Sequence, residues 1–185
     1  MTKLAAFLIL AFSAISANAG TVLIDFDDVT PEYVFGGNLF DIETKGFTFD
    51  AVTSSASPPE AGVGSGGIFA GAECFAFGAG CGSLIVMEAV NGSAFSIQSI
   101  GSWEGSFEGT LFGGGAADLS APIGTGDWLS LETFRVRNYC ELTPCGYFEA
   151  SLDNVTASVV PIPAAVWLFG SALAGLGWVR RKQAN

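Results

Sequence analysis

The middle of the chain contains short stretches in which apolar and polar residues alternate. Every second side chain is apolar at residues 22–26, 47–49 and 95–97. This period of two predicts half-buried β-strands, because successive side chains of a strand point to opposite faces of the sheet. Further strands are predicted over residues 83–87, 106–112, 128–137 and 146–159. No window of useful length has the 3.6-residue period of an amphipathic helix.

Glycine-rich segments separate these stretches, most densely at residues 62–82 and 113–126. We interpret both segments as turns between strands. Many short strands joined by glycine-rich turns are typical of an antiparallel β-sandwich or jelly roll. The sequence therefore predicts an all-β domain of this class over residues 20–159.

Two of the predicted strands lose their alternation partway. In the first, the apolar positions are 129 and 131, followed by 134 and 136. In the second, they are 148, 150 and 152, followed by 155, 157 and 159, with the break at Asp153 and Asn154. A shift of one residue turns every following side chain to the other face, so each break predicts a bulge or a bend.

The first residues have the pattern of a signal peptide. A short positive start is followed by an apolar segment, Leu4 to Ile15, and then by Ala17 and Ala19 at a small-x-small cleavage site. We therefore expect a signal peptide helix over residues 1–19 and a mature start at Gly20.

The last residues have the pattern of a membrane-spanning segment. The apolar stretch 164–179 would reach about 24 Å as a helix, somewhat less than a bilayer core of about 30 Å. Three cations, Arg180, Arg181 and Lys182, follow it and favour a cytoplasmic end. We predict a transmembrane helix that leaves the preceding domain outside. We expect this helix to be a temporary tether. The alternative is an ordinary single-span anchor that is never cut.

The charge of the predicted domain is strongly negative. It contains 18 acidic side chains and only three basic ones, Lys45, Arg135 and Arg137, for a formal net charge of −15. Such a surface repels nucleic acid, which we exclude as a partner. The acidic residues either keep the domain soluble or bind a divalent cation, for which calcium is the candidate.

A calcium site is expected where the first and last strands come together. In a sandwich these two strands often lie near each other, and carboxylate and amide oxygens are suitable ligands for calcium. The candidate residues are Asp25, Asp27, Asp28, Asp153 and Asn154. Ordinary turn and strand-end polar residues are the alternative.

Four cysteines fit an exported protein with disulfides. Cys74 and Cys81 enclose one short segment, and Cys140 and Cys145 enclose another. Of the three pairings possible, we expect 74 with 81 and 140 with 145, because closing a short loop costs less entropy. A zinc site is disfavoured, since the chain has no histidine and neither spacing fits.

Catalytic signatures are weak. Without histidine there is no Ser-His-Asp or Cys-His relay, and no phosphate-binding loop is present. A pair of carboxylates could still support a glycosidase, for example Glu104 with Glu108 or Glu132. We predict a noncatalytic protein, with this glycosidase as an alternative.

Aromatic residues near polar turns suggest a carbohydrate platform. Trp103 and Trp128 are the principal candidates, and Tyr33, Tyr139 and Tyr147 lie near turn signals as well. Such rings stack on sugars in many jelly rolls, but they also serve as core or rim packing residues.

The C-terminal 26 residues resemble the PEP-CTERM sorting tail of bacterial exported proteins. The resemblance rests on Val160-Pro161-Ile162-Pro163, the apolar segment and the three final cations, although Ile162 stands where the motif has glutamate. The segments 24–27, 46–49, 95–103 and 152–155 are similar to β-sandwich domains that often carry this tail. The resemblance implies processing by an exosortase at the inner membrane.

These features together predict an exported protein of the cell surface or extracellular matrix. The resemblance implies an association with exopolysaccharide, as in a biofilm. A lectin-like carbohydrate-binding module is the alternative function.

Overall fold

Antiparallel strands make up nearly all of the regular structure in the part of the chain that the computed structural model describes. One 3₁₀ helix, Gly126–Leu129, accompanies them. The strands are β1 Thr21–Ile24, β2 Glu32–Phe35, β3 Leu39–Thr44, β4 Phe47–Ser54, β5 Glu60–Gly64, β6 Gly67–Cys74, β7 Cys81–Ala89, β8 Phe95–Glu104, β9 Ser106–Leu111, β10 Leu131–Cys140 and β11 Gly146–Val159. The all-β antiparallel prediction is confirmed.

The structure describes residues 20–54, 59–74, 81–140 and 146–160, except for the side chains of residues 74, 140 and 146. Gly20–Val160 form one compact unit. The predicted signal peptide with Ala17 and Ala19 lies outside the described residues. So does the tail from residue 161, with Pro161, Ile162, Pro163, Arg180, Arg181 and Lys182. Within the described ranges, no helix has the length and apolar character needed to cross a bilayer.

All eleven strands belong to one hydrogen-bonded sheet with two halves. The first half runs β2-β5-β6-β11-β8, with β1 also paired to β11. The second runs β10-β7-β4-β3, with β9 paired to the other edge of β10. Strands β4 and β7 pack across the core against β5, β6 and β11. Each half therefore has one face toward the core and one toward solvent.

A glycine bend carries the chain from one half to the other. Strands β8 and β9 are separated by Gly105 alone, whose φ is +120°. A Cβ at this position would lie 2.8 Å from the carbonyl oxygen of Arg137. Only glycine fits this close approach. The bend at Gly105 leads the chain from β8 in the first half of the sheet to β9 in the second half.

The core between the halves is rich in aromatic rings. Phe26 and Phe49 meet edge to face with centroids 5.0 Å apart, and Phe47 and Phe95 do so at 5.5 Å. Smaller apolar residues complete the core near β5 and β6, where Ala61, Ala70 and Ala150 are fully buried. The aromatic rings supply a large part of the bulk of this core, together with buried Ile, Leu and Val side chains.

Both predicted losses of alternation are confirmed. In β10 the register with β9 shifts between Leu131 and Thr133, so that Glu132 is the extra residue of a bulge. In β11 Asn154 has a φ of +54° and is exposed, and burial resumes at Val155. Asparagine tolerates this left-handed conformation better than most residues do.

Three details of the strand prediction were wrong. Phe26 does not extend β1, because it adopts a left-handed turn with φ +57° that brings its ring into the core. Residues 128 and 129 form part of the 3₁₀ helix, and β10 begins at Leu131. The glycine-rich segment from residue 62 contains strands β5 and β6 as well as turns.

A glycine substitution tests the turn between β5 and β6. Gly67 has a φ of +99°, and a Cβ there would lie 2.5 Å from the carbonyl oxygen of Leu152. Gly67→Ala should lower the free energy of unfolding by about 2 kcal/mol or more, from backbone strain and displacement of β11. Gly66 has open space around it. Gly66→Ala should therefore change the free energy of unfolding by less than about 0.5 kcal/mol. Urea titrations of both variants measure the two changes. Equal losses in the two variants would contradict a special role for Gly67 in this turn.

Candidate functional site

The solvent side of the first half of the sheet carries a group of aromatic and acidic side chains. Its central residues are Tyr33 on β2, Glu60 on β5, Phe69 on β6, and Tyr147 and Glu149 on β11, and we call this surface the acidic tyrosine face. The pairing registers put these positions on one side of the sheet. Tyr33 is opposite Gly62, Gly62 opposite Phe69, and Glu60 and Glu149 are each opposite Gly71.

Two glycines within the strands allow aromatic side chains to lie close to the sheet. The ring of Phe69 covers Gly62, and the hydroxyl of Tyr147 covers Gly71, 2.5 Å from where a Cβ would be. Both glycines are buried as a result. A larger residue at either position would push the ring away from the sheet. The strand glycines therefore determine the low profile of the face.

An open cleft borders this face at the turn between β5 and β6. Tyr33 and Phe69 have their ring centroids 6.2 Å apart with an interplanar angle of 38°. The cleft has a volume of about 520 Å³ and is lined by these two rings, Pro31, Glu32 and the turn glycines. Tyr33 is 58% exposed and Tyr147 is 50% exposed. The aromatic surface is therefore available to a ligand.

The tyrosine hydroxyls interact with carboxylates. Tyr147 donates a hydrogen bond to Oε2 of Glu149 at 3.1 Å. Desolvation and the nearby charge of Glu149 raise the pKa of Tyr147 to about 12. Desolvation, followed by the hydrogen bond and charge of Glu60, raises the pKa of Tyr33. The pKa of Glu149 is also raised, chiefly by desolvation. The face thus presents neutral phenols beside carboxylate acceptors.

The two tryptophans predicted as a glycan platform lie elsewhere. Trp128 is only 1% exposed, and its Nε1 donates to the carbonyl oxygen of Ala121 at 3.0 Å. It packs in the core against Phe134, so a sugar cannot stack on it. Trp103 is 45% exposed and tilts against Phe107 with centroids 5.2 Å apart. Trp103 is thus available at the surface, apart from the acidic tyrosine face.

The predicted calcium residues are partly brought together. Strand β1 pairs with β11 and places Ile24 opposite Val155, so Asp25 and Asn154 follow at adjoining strand positions. Local donors occupy the carboxylates, however. Asp25 accepts a hydrogen bond from the backbone nitrogen of Asp27 at 3.4 Å. Asp153 accepts hydrogen bonds from both the backbone nitrogen and the side-chain nitrogen of Asn154.

Asp28 is engaged with other residues. It accepts from Oγ1 of Thr44 at 2.8 Å and pairs with Nζ of Lys45 at 3.1 Å. The hydrogen bond from Thr44 is the main cause of its lowered pKa. No group of three metal-ligating side chains occurs among the described residues. Calcium binding stays a prediction.

The cysteine pairing stays a prediction as well. Cys81 begins β7 with a buried side chain, and none of the described cysteines is a free thiol. The side chains of Cys74 and Cys140 and the whole of Cys145 lie outside the described residues. The backbone register sets Cys140 of β10 opposite Cys81.

The predicted carboxylate pairs stay a prediction. Glu104 ends β8, Glu132 is the bulge residue of β10, and Glu108 forms an ion pair with Arg137 at 3.2 Å. The sequence pattern pointed to Tyr33 and Tyr147 but missed three members of the face, Glu60, Phe69 and Glu149. For Glu60 and Phe69 the signal was the alternation within β5 and β6, which the glycines of those strands obscured, whereas Glu149 lay in the predicted strand 146–159 without being singled out.

No family model matches the chain, and no curated protein or solved structure is significantly similar to it. Function is therefore inferred from the sequence and from the geometry of the described residues.

The alkaline titration of the tyrosines tests the electrostatics of this face. With a pKa of about 12, Tyr147 should remain protonated when a free phenol, at about 10, has ionised. Because the raised pKa favours the protonated folded state, its contribution to stability is present below about pH 10 and is lost as the pH rises toward 12. Phenolate absorbance should show a late-ionising tyrosine that Tyr147→Phe removes. Glu149→Gln should lower that pKa, while Tyr139→Phe should leave the late phase in place. Because the pKa of Tyr33 is raised as well, the contradicting result is a phase near pH 12 that survives in Tyr147→Phe and is removed by Tyr33→Phe.

Proposed function

We propose that this chain is an exported, noncatalytic protein of the cell surface or extracellular matrix whose β-domain binds polysaccharide through the acidic tyrosine face. The observation that carries the proposal is the exposed Tyr33–Phe69 ring pair beside an open cleft, on the same face as Glu60 and Glu149. Flat aromatic rings pack against the apolar faces of sugar rings, and neighbouring carboxylates accept hydrogen bonds from sugar hydroxyls.

The charge of this face selects the kind of sugar. The face carries Glu60, Glu149 and Glu104 in neighbouring positions, while the domain's basic residues lie on β10 and in the turn at Lys45. A densely anionic polymer would be repelled here. Neutral sugars, or sugars that bear an amine, fit this surface. The proposed ligand is therefore a stretch of exopolysaccharide without negative charge.

A jelly-roll-like β-sandwich is part of the same proposal. The two halves of the sheet enclose one core, and β8 and β9 pass between the halves at a glycine bend, as strands do at the corners of sandwiches. Calcium bound at Asp25, Asp27, Asp28, Asp153 and Asn154 would stabilise the end of β1 and the bend of β11.

Export and sorting are proposed from the two ends of the sequence. The signal peptide would send Gly20 onward across the inner membrane. The segment 164–179 and the cations that follow would hold the precursor there until an exosortase acts near Pro161 to Pro163. The domain would then be left at the cell surface or in the matrix.

A carboxylate-dependent glycosidase is the second candidate. Glu60 and Glu149 flank Gly71 from strands on either side of β6, so their backbone positions lie two strand spacings, about 9.6 Å, apart across the sheet. The raised pKa of Glu149 is suitable for a general acid. Release of reducing sugar from a bound polysaccharide, abolished by Glu149→Gln, would favour this candidate over a binding module.

Binding to exopolysaccharide from a producing strain tests the proposed ligand face. Tyr33→Ala should weaken binding at least about fivefold, because truncating an aromatic anchor commonly costs more than about 1 kcal/mol. Phe112 is similarly exposed at 48% but lies outside the face, so Phe112→Ala is a matched control that should bind normally. Affinity electrophoresis in gels containing the polysaccharide would measure both.

Trp103→Ala distinguishes the two aromatic sites in the same gels. We expect it to retain binding while Tyr33→Ala loses it. Loss of binding in Trp103→Ala with normal binding in Tyr33→Ala would instead indicate that the ligand site is at Trp103. Normal binding by both variants would contradict an aromatic platform.

Expression with and without an exosortase tests the sorting proposal. Mass spectrometry of the exported protein should find an N-terminus at Gly20 in both hosts and a shortened C-terminus only where the exosortase is present. Replacing Arg180, Arg181 and Lys182 by Gln should leave an unprocessed product, because the positive-inside signal is lost. Identical C-termini in the two hosts would contradict the proposal and favour a permanent anchor.

A further inference from the structure

The solvent side of the second half of the sheet contains a second cleft, whose charged lining residues are two arginines and Glu108. It has a volume of about 370 Å³ and lies over strands β4, β7 and β10. Its floor is formed by the half-buried side chains of Val52, Leu84 and Val86. Arg135 and Arg137 line it from β10. We call this surface the arginine cleft.

Two of the three basic residues of an otherwise acidic domain thus meet in one place. The domain sequence has 18 acidic side chains, and its third basic residue, Lys45, already pairs with Asp28. Arg135 and Arg137 are two positions apart on one strand, so both point to the same side of the sheet, roughly 6.6 Å apart along the backbone.

The two guanidinium groups differ in how they are satisfied. Arg137 pairs with Oε1 of Glu108 at 3.2 Å and lies 5.1 Å from the ring centroid of Tyr139. Arg135 is half-buried, and its Nε is shielded from solvent without a hydrogen-bond partner. Among the residues that the structure describes, no carboxylate forms an ion pair with Arg135. An arginine whose Nε–H has no protein acceptor retains hydrogen-bonding capacity for an anion that reaches its guanidinium group.

Ring-shaped ligands fit the remainder of the cleft. Tyr139 borders the cleft, since it is 46% exposed beside Arg137 and lies opposite Gly82 in the strand pairing. Ser54 borders the same end and donates its hydroxyl proton to the carbonyl oxygen of Gly82 at 3.4 Å. The cleft volume falls within the range of small-molecule sites, about 300–1,000 Å³. An aromatic edge, an apolar floor and a guanidinium together suit a sugar ring that carries a carboxylate.

We propose that the arginine cleft binds single carboxylate-bearing sugar units, such as one uronic acid within a mainly neutral glycan. The carboxylate accepts hydrogen bonds from Arg135, and the sugar ring lies over the apolar floor beside Tyr139. Of the two guanidinium groups lining the described cleft, Arg137 already has a carboxylate partner, so the cleft takes one charge. The negative charge of the rest of the domain disfavours a polyanion. This site is separate from the acidic tyrosine face and does not depend on it.

A matched pair of sugars tests the proposal on the full-length protein in mild detergent. Methyl β-glucuronide and methyl β-glucoside differ only in the carboxylate, and their dissociation constants can be measured by ¹H–¹⁵N NMR titration. We expect the glucuronide to bind about tenfold more tightly, with the largest shifts at the Arg135 side-chain Nε–H and at Gly82 and Leu84. Equal affinities for the two sugars would overturn the proposal.

Four variants show whether the preference arises in the cleft. Arg135→Gln should reduce the glucuronide preference to about twofold or less, and Arg137→Gln should reduce it partially. Glu108→Gln should increase the preference about two- to threefold, because it removes the carboxylate that competes for Arg137. Lys45→Gln removes the same charge elsewhere and should change nothing. If Lys45→Gln and Arg135→Gln reduced the glucuronide preference equally, the preference would arise from the overall charge of the domain and not from the cleft, which would contradict the proposal.

Two further measurements test the need for the sugar ring and the location of the carboxylate site. Sodium acetate carries the carboxylate without the ring and should bind at least about tenfold more weakly than the glucuronide. Equal binding of acetate would overturn the sugar specificity. Tyr33→Ala, which is designed to impair the acidic tyrosine face, should leave the glucuronide preference intact. Loss of that preference in Tyr33→Ala would place the carboxylate site on the other face and contradict the proposal.

Discussion

Strand β11 is hydrogen-bonded along both edges, and this double pairing fixes the arrangement of the first half of the sheet. One edge pairs with β8, and the other pairs first with β6 and then with β1. The change of partner coincides with Asn154, whose left-handed backbone lets the strand bend and its burial alternation shift. Tyr147 and Glu149 precede the bend and Val155 follows it, so one strand contributes to both the acidic tyrosine face and the end of the core.

Glycine has two different roles in this domain, and only one of them is visible from composition. Gly67 and Gly105 have positive φ angles at turns, as a glycine-rich segment suggests. Gly62 and Gly71 lie inside strands, where their missing side chains allow Phe69 and Tyr147 to cover the sheet. A strand glycine is a cost in conformational entropy, so its use beneath exposed aromatic rings is consistent with a surface shaped for a ligand.

The alternation of residues was sufficient to predict the all-β class, several strands and both phase breaks, because burial on one face directly determines that pattern. It was insufficient for β5 and β6, since Ala and Gly there carry little hydrophobic contrast. The polar neighbours of Trp128, such as Asp127, suggested a surface position for its indole. A polar neighbour in the sequence does not determine whether the indole itself is buried. The acidic tyrosine face depends on pairings between β2, β5, β6 and β11, which are distant in sequence. No local pattern specifies those registers.

The two surfaces lie on the solvent sides of opposite halves of the sheet and differ in charge. A polysaccharide that is neutral along most of its length but has occasional carboxylates offers ligands to both surfaces, whereas a polyanion is repelled from the acidic one. Because the surfaces face away from each other, a single short glycan cannot occupy both. Two glycan chains can bind at the same time, one at each surface. Each weak contact then raises the effective concentration of glycan for the next contact. If the proposed function is correct, a domain with this geometry would hold a matrix together without tight binding at either site.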